Sequence, residues 1–270
     1  MGLLDCILPN PAIFVIVTRG RSGSNFLLSL LSSHPMVWHC GEVVGESRLR
    51  KGIVKAAIKT IGTVPYVKSC IGAISARAAA SMPYIKGRLK EKEFVLAIGM
   101  KILYYQVEGG YARRYGLKDL HKLLEFLRTN KAIKVIHLKR QNRLRTLVSI
   151  KKALNTGQYL LHHEKKRVKE VQIELSPDEC KEEFERTDSW ERKYDTIFQK
   201  HEMLEVFYED LVSNTDQECY RILTFLGVGQ QRLRARTLRQ NLQGISQVVS
   251  NYKELKRHFR GTEWEAFFED

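Results

Sequence analysis

A strand pattern, a short Gly/Ser loop and a helical pattern follow one another directly near the start of the chain. No other feature constrains the fold as much. Ile13–Thr18 (IFVIVT) is a continuous β-branched and aromatic run between Pro11 and Gly20, which reads as a strand buried on both faces. From Ser24 the apolar residues Phe26, Leu27, Leu30 and Leu31 recur at helical spacing until Pro35 stops them. Half a βαβ unit of this kind calls for a parallel partner strand. Further strands are expected at Phe94–Ile98, Ile133–Leu138 and Leu204–Tyr208. Helices are expected at Leu117–Leu127, at Arg143–Asn155 closed by Gly157, and at about Gln217–Phe225, capped by Asn214 and ended by Gly227. Strands alternating with helices predict an α/β fold: a central parallel sheet flanked by helices in three layers. Residues 43–92, rich in Ala, Ile, Lys and Arg, read as a helical insertion over the sheet edge, and 157–186 as a charged, solvated helix and loop. With 270 residues the whole is expected to form one domain.

The turn Arg19-Gly20-Arg21-Ser22-Gly23-Ser24-Asn25 lies where backbone N–H groups and a helix dipole converge on an anion. Gly20 and Gly23 permit close approach, while Arg21, Ser22, Ser24 and Asn25 add charge and donors. The turn is P-loop-like in position only, because the G-x-x-x-x-G-K-[ST] spacing is absent and no Lys follows Gly23. Forty-five Lys and Arg against thirty Asp and Glu leave a formal charge of +15, which favours an anionic partner. The basic residues are dispersed and carry no zinc-finger or other nucleic-acid signature, so no nucleic-acid partner is expected. Five cysteines at wide, irregular spacing (Cys6, Cys40, Cys70, Cys180, Cys219) show no metal-ligand pattern and read as reduced and mostly core. No apolar run approaches the ~18 residues of a membrane span, and the start MGLLDC lacks a signal-peptide layout, which makes a cytoplasmic enzyme the simplest reading.

Four segments, in order, carry a family resemblance. TRGRSGSNFLLSLLSSHP resembles the 5′-phosphosulfate loop of the sulfotransferases that use PAPS (3′-phosphoadenosine-5′-phosphosulfate), above all their bacterial and carbohydrate branches. HLKRQNRLRTLVSIKKALNTGQY is similar to their 3′-phosphate motif, with Arg140 ending a strand and Ser149 on the next helix. VFYEDLVSNTDQECYRILTFLGV is similar to the family's YEDL segment, and NYKELKRHFRGTEWEAFF resembles the tail that closes on the nucleotide. The resemblance spans residues from about 13 to about 268 and implies a three-layer P-loop-like fold, PAPS as co-substrate, PAP as product and no metal.

It also implies roles for particular residues. Arg19 to Phe26 would line the 5′ end of the nucleotide, with Arg21 standing where the cytosolic branch has a Lys and Phe26 where it has an adenine-facing Trp. Arg140 and Ser149 would hold the 3′-phosphate. Tyr208 and Glu209 would be either structural or adjacent to the adenine, and Arg260, Gly261 and Thr262 would belong to the closing loop. Asn25 departs from the usual Thr or Ser, and Gln141 from a frequent second Arg. A neutral acceptor hydroxyl needs a base. Glu42 in HCGEVV stands where bacterial carbohydrate enzymes carry a Glu just beyond the first helix; His39 is the alternative base. Lys101 in GMKILYYQ matches a Lys facing the acceptor, although a strand-end Lys also snorkels without function. The acceptor stays open among carbohydrate, lipid and natural-product hydroxyls or amine and guanidine nitrogens, as does the oligomeric state. Two alternatives stand beside this reading: a P-loop-like nucleotide kinase, and a non-catalytic basic protein docking peripherally on membranes or nucleic acid.

Overall fold

The computed structural model describes residues 7–42, 95–108, 120–159, 161, 171–238 and 243–269. The helical insertion expected at 43–92 lies outside them. Five strands, β1 (Ile7–Thr18), β2 (Val37–Glu42), β3 (Val95–Leu103), β4 (Lys134–Lys139) and β5 (Met203–Phe207), form one parallel sheet in the order β2-β3-β1-β4-β5. Chain direction across the sheet reverses around β1, whose two neighbours come from opposite sides of the winding. A crevice outside the carboxyl ends of such strands is where open α/β sheets bind ligands.

Alternation along β1 sets the layers. Phe14 and Ile16 pack on one face with α1 (Ser24–Ser32) and α7 (Thr215–Leu226). Val15 and Val17 pack on the other with α2 (Tyr104–Glu108), α3 (Leu120–Thr129) and α5 (Pro177–Phe198). All four of these β1 residues are wholly buried, as a strand covered on both faces requires. A second apolar cluster joins α4 (Arg143–Thr156) and α5 to the tail, made of α8 (Ile245–Val248), α9 (Tyr252–His258) and a 3-10 turn at Glu265–Phe268. The short α6 (Tyr208–Ser213) follows β5 directly. Cys180 and Cys219 are free and buried in the core.

Several expected boundaries move. β1 begins at Ile7, with an irregularity between Ile7 and Ala12 where Pro9 and Pro11 fall, because proline cannot donate to a ladder. β3 continues to Leu103 past Gly99 and Lys101, which interrupt its apolar run, since pairing with both neighbours carries the chain on. Tyr208 starts α6 rather than ending β5. Asn214 precedes α7 as expected but provides no side-chain cap. His39–Glu42, for which no strand was expected, belong to β2. The last third of the stretch read as a solvated helix and loop, from Pro177, is the start of α5: a Ser176/Glu179 capping box opens it, and the helix buries Cys180, Glu183, Phe184 and Thr187. Charge density misleads there because Glu183 is a buried carboxylate with a buried partner.

Candidate functional site

The loop after β1 takes backbone shapes that need its residue types. Gly23 lies at φ +84, and a Cβ there would fall 2.1 Å from the Tyr208 ring. Arg21 also has positive φ, at 72°, an uncommon and costly conformation for a residue with a side chain. The reward is placement. Arg21 Nε donates to Ser149 Oγ at 3.0 Å and Nη1 to the Tyr159 carbonyl at 2.7 Å. Arg140, at the end of β4, donates from Nη1 to the Arg21 carbonyl at 3.1 Å and stacks 4.7 Å over Tyr208. Residues far apart in sequence, from the loop, the end of β4, α4 and α6, therefore converge on one cationic rim. Burial pulls the Arg21 guanidinium below its ordinary value, while Tyr159 and Tyr208 act in the opposite sense. Arginine stays charged under such a shift, so the rim can grip a polyanion.

Arg19 is the exception among the loop residues. Its Nε and Nη2 donate to the two oxygens of Glu183 at 2.8 and 3.1 Å, and its guanidinium lies 5.2 Å over Trp190. Expected among the nucleotide ligands, it instead tethers the end of β1 to α5, because a buried carboxylate needs a bidentate cation there. Ser22 and Ser24 are buried in the loop. A Cβ on Gly20 would press on the Tyr105 ring at 3.2 Å.

A second group forms where β2 and β3 end. β2 carries one extra residue between the His39–Gly99 and Glu42–Lys101 pairs, with Gly41 at φ +71, and this bulge sets Glu42 opposite Lys101. Lys101 Nζ lies 2.9 Å from Glu42 Oε1 and donates to Asn25 Oδ1 at 2.7 Å. Lys101 is only 2% exposed, whereas a quarter of the Glu42 side chain is open. Gln106, absent from the sequence expectations, donates from Nε2 to Glu42 Oε2 at 3.2 Å. So the Asn that departs from the family pattern anchors the lysine, and the first-loop helix is wired to the β2–β3 corner.

The other expected residues are more dispersed. His39 turns to the middle and end of α1, where Nε2 meets the Leu28 carbonyl at 3.1 Å and the Ser32 hydroxyl. A carbonyl only accepts, so Nε2 carries the proton and is no base in this arrangement. Phe26 and Leu30 wall a cavity of about 780 Å³ with Ser213–Gln217 and Arg232–Ala235. Arg260, Gly261 and Thr262 form an exposed turn; the Gly261 N–H meets Glu265 and the Thr262 hydroxyl the Phe259 carbonyl, all within the tail. That tail reaches α4 through Asn142 Nδ2, which donates to the Phe267 carbonyl. Among the described residues no group of three or more His, Cys, Asp or Glu is placed to hold a metal ion, and no helix is long and apolar enough to cross a membrane.

A parallel α/β sheet with arginines, serines and a glycine turn at its switch point defines an oxyanion-binding α/β protein. More specifically, the chain belongs to the sulfotransferase family, whose family model matches residues 11–232, and it is a sulfotransferase. It is 28% identical to nodulation protein H of Rhizobium tropici over 97% of this chain and 95% of that protein. It is 23% identical to nodulation protein H of Rhizobium meliloti (strain 1021), over 96% of each. Among solved structures it is similar to a sulfotransferase from Alicyclobacillus acidocaldarius, with TM-score 0.44 and 14% identity over 93% of this chain and 91% of that one. It is also similar to the sulfotransferase domain from the curacin biosynthetic pathway, with TM-score 0.42 and 16% identity over 82% of this chain and 75% of that one. Membership in this family sets aside the kinase and adaptor alternatives.

Proposed function

We propose that this sulfotransferase takes the sulfuryl group of PAPS and passes it to a hydroxyl, or an amine or guanidine nitrogen, of a small acceptor such as a carbohydrate, lipid or natural product. The observation that carries this reading is the meeting of Arg21, Ser149, Arg140 and Tyr208 in one rim. The 3′ and 5′ substituents of PAPS branch from one ribose, so a compact rim suits them better than two distant clusters. Arg21 and the loop amides would take the 5′ end, Arg140 and Ser149 the 3′-phosphate, and Phe26 the base over its adjoining cavity.

In this scheme Glu42 is the general base. The acceptor oxygen or nitrogen forms its bond to sulfur as the bond from sulfur to the 5′-phosphate oxygen breaks. The acceptor proton passes to Glu42, and PAP leaves with the electron pair. Charge on the equatorial sulfuryl oxygens and the leaving oxygen needs fixed cations, and Lys101 and Arg21 stand on either side of the loop to supply them. The Lys101 ammonium has three N–H donors, and a shift of one toward the sulfuryl group would loosen its hold on a Glu42 oxygen.

A transfer screen with labelled PAPS across the acceptor classes tests the activity, and PAP-dependent melting tests the nucleotide site. Protection by PAP together with labelled product is the expected result. Stabilisation by ATP but not by PAP would overturn the donor assignment.

A further inference from the structure

We infer that Gln106 is a positioning residue, whose side-chain amide holds the Glu42 carboxylate in the orientation that general-base action requires. The inference rests on the reading of Glu42 as the base.

The amide is itself held. Gln106 is 1% exposed, in the middle of the short α2, and its Oε1 accepts from the Leu103 backbone N–H at 3.0 Å. That bond identifies the oxygen, because a backbone N–H can meet only an acceptor; the NH2 group is therefore the one facing Glu42 at 3.2 Å. Leu103 is the last residue of β3, two residues beyond Lys101, so one strand end fixes both groups that grip the carboxylate. Lys101 takes Oε1 and Gln106 takes Oε2. The two grips differ in kind. Lys101 also binds Asn25 of the loop helix and so responds to whatever fills the loop, whereas Gln106 is tied to backbone and stays in place. As Lys101 engages an incoming sulfuryl group, the bond from Gln106 keeps the Glu42 carboxylate aimed toward the loop. That bond limits rotation of a carboxylate on a bulged edge strand, and misplacement of a base by about one ångström is costly in rate.

Gln106→Glu isolates the contact: it keeps an acceptor for the Leu103 N–H, but the donor to Glu42 is lost and a like charge takes its place. Gln106→Met provides an uncharged second variant. Sulfate release from labelled PAPS is measured without acceptor, water taking its place, and with any acceptor turned over in the screen; the shift in melting midpoint with PAP is recorded alongside. Both variants are expected to keep the PAP-dependent shift and to lose about tenfold or more in kcat, with the KM for PAPS within about twofold. A double-mutant cycle separates positioning from bulk structure. In a Glu42→Gln background, Gln106→Glu is expected to cost nothing further, since its only route to the rate is then gone. Wild-type kcat in Gln106→Glu, or losses that multiply with those of Glu42→Gln, would overturn the inference while the base reading survives. Wild-type turnover in Glu42→Gln would overturn both.

Discussion

Two groups of polar side chains sit on opposite sides of β1 in this sheet and come to opposite uses. At the β2–β3 corner, Glu42, Lys101, Asn25 and Gln106 meet beside the loop, with part of Glu42 open. On the other face, Tyr104 donates to His137 Nε2, His137 Nδ1 donates to Asp195 at 2.7 Å, and Lys139 joins Asp195 and Glu205. By residue type the second group is the more suggestive, since Tyr, His and Asp in a chain are familiar catalytic company. Yet His137 is wholly buried, and burial, aided by Lys139, pulls it down to about 4 against the opposing pull of Asp195. Burial likewise raises Tyr104 well above its ordinary value. That chain stays neutral at its buried centre, His137, and meets solvent at Asp195 and Glu205, so its inner half braces α5 against β4. What separates the two groups here is position, because the carboxylate of the first adjoins the loop after β1 through Lys101 and Asn25, and not the inventory of side chains.

The comparison can be broken most forcefully at Glu42. Glu42→Gln is expected to lower turnover by about 100-fold or more, within the usual range for a lost general base, while PAP still raises the melting midpoint. Retained turnover would make the open cluster as structural as the closed one.

The closed cluster is tested by acid. A histidine whose folded value lies near 4 and whose unfolded value lies near 6.5 gives stability that is complete above about pH 6.5 and is lost as pH falls toward 4. The unfolded chain binds the extra proton in that window, so the loss from this residue approaches roughly 3 kcal/mol. Urea midpoints measured from neutral to acidic pH should fall steeply for the wild type and less so for His137→Gln; equal slopes would remove His137 as the cause.

Arg140→Ala is expected to weaken PAP binding by roughly 10- to 100-fold, the range of a charge-assisted contact, and titration calorimetry reads it directly. Unchanged affinity would move the 3′-phosphate elsewhere. The smallest expected effect sharpens the contrast: Tyr104→Phe should cost about 1 kcal/mol of unfolding free energy, one buried hydrogen bond, with kcat unaltered. A fall in kcat without loss of stability would connect the buried chain to the chemistry after all.

Much of the frame was legible in the residues. The β1–loop–α1 unit, α4 with its Gly157 close and α7 with its Gly227 close fall where periodicity and stop signals put them. Arg21 was marked by the glycine turn, and Arg140, Ser149 and Tyr208 by the resemblance of their segments to the family's motifs; the structure brings the four together. Other features left no local trace. The extension of HCGE as β2 depends on pairing with β3, which lies more than fifty residues on. Arg19 looks like a loop ligand until Glu183, 164 residues away, claims it. Gln106 is one polar residue after two tyrosines, and only the turn at the end of β3 aims it at Glu42.

By itself the sequence determined the alternation of elements, the glycine turn and which arginines and serines stand at strand ends, because these follow from near-neighbour sterics and from the two periodicities of strand and helix. Only the tertiary structure decided which charged groups are buried against each other and which are left facing the crevice. Desolvation and ion pairing depend on what lies across space, and the chain order of the residues does not record that.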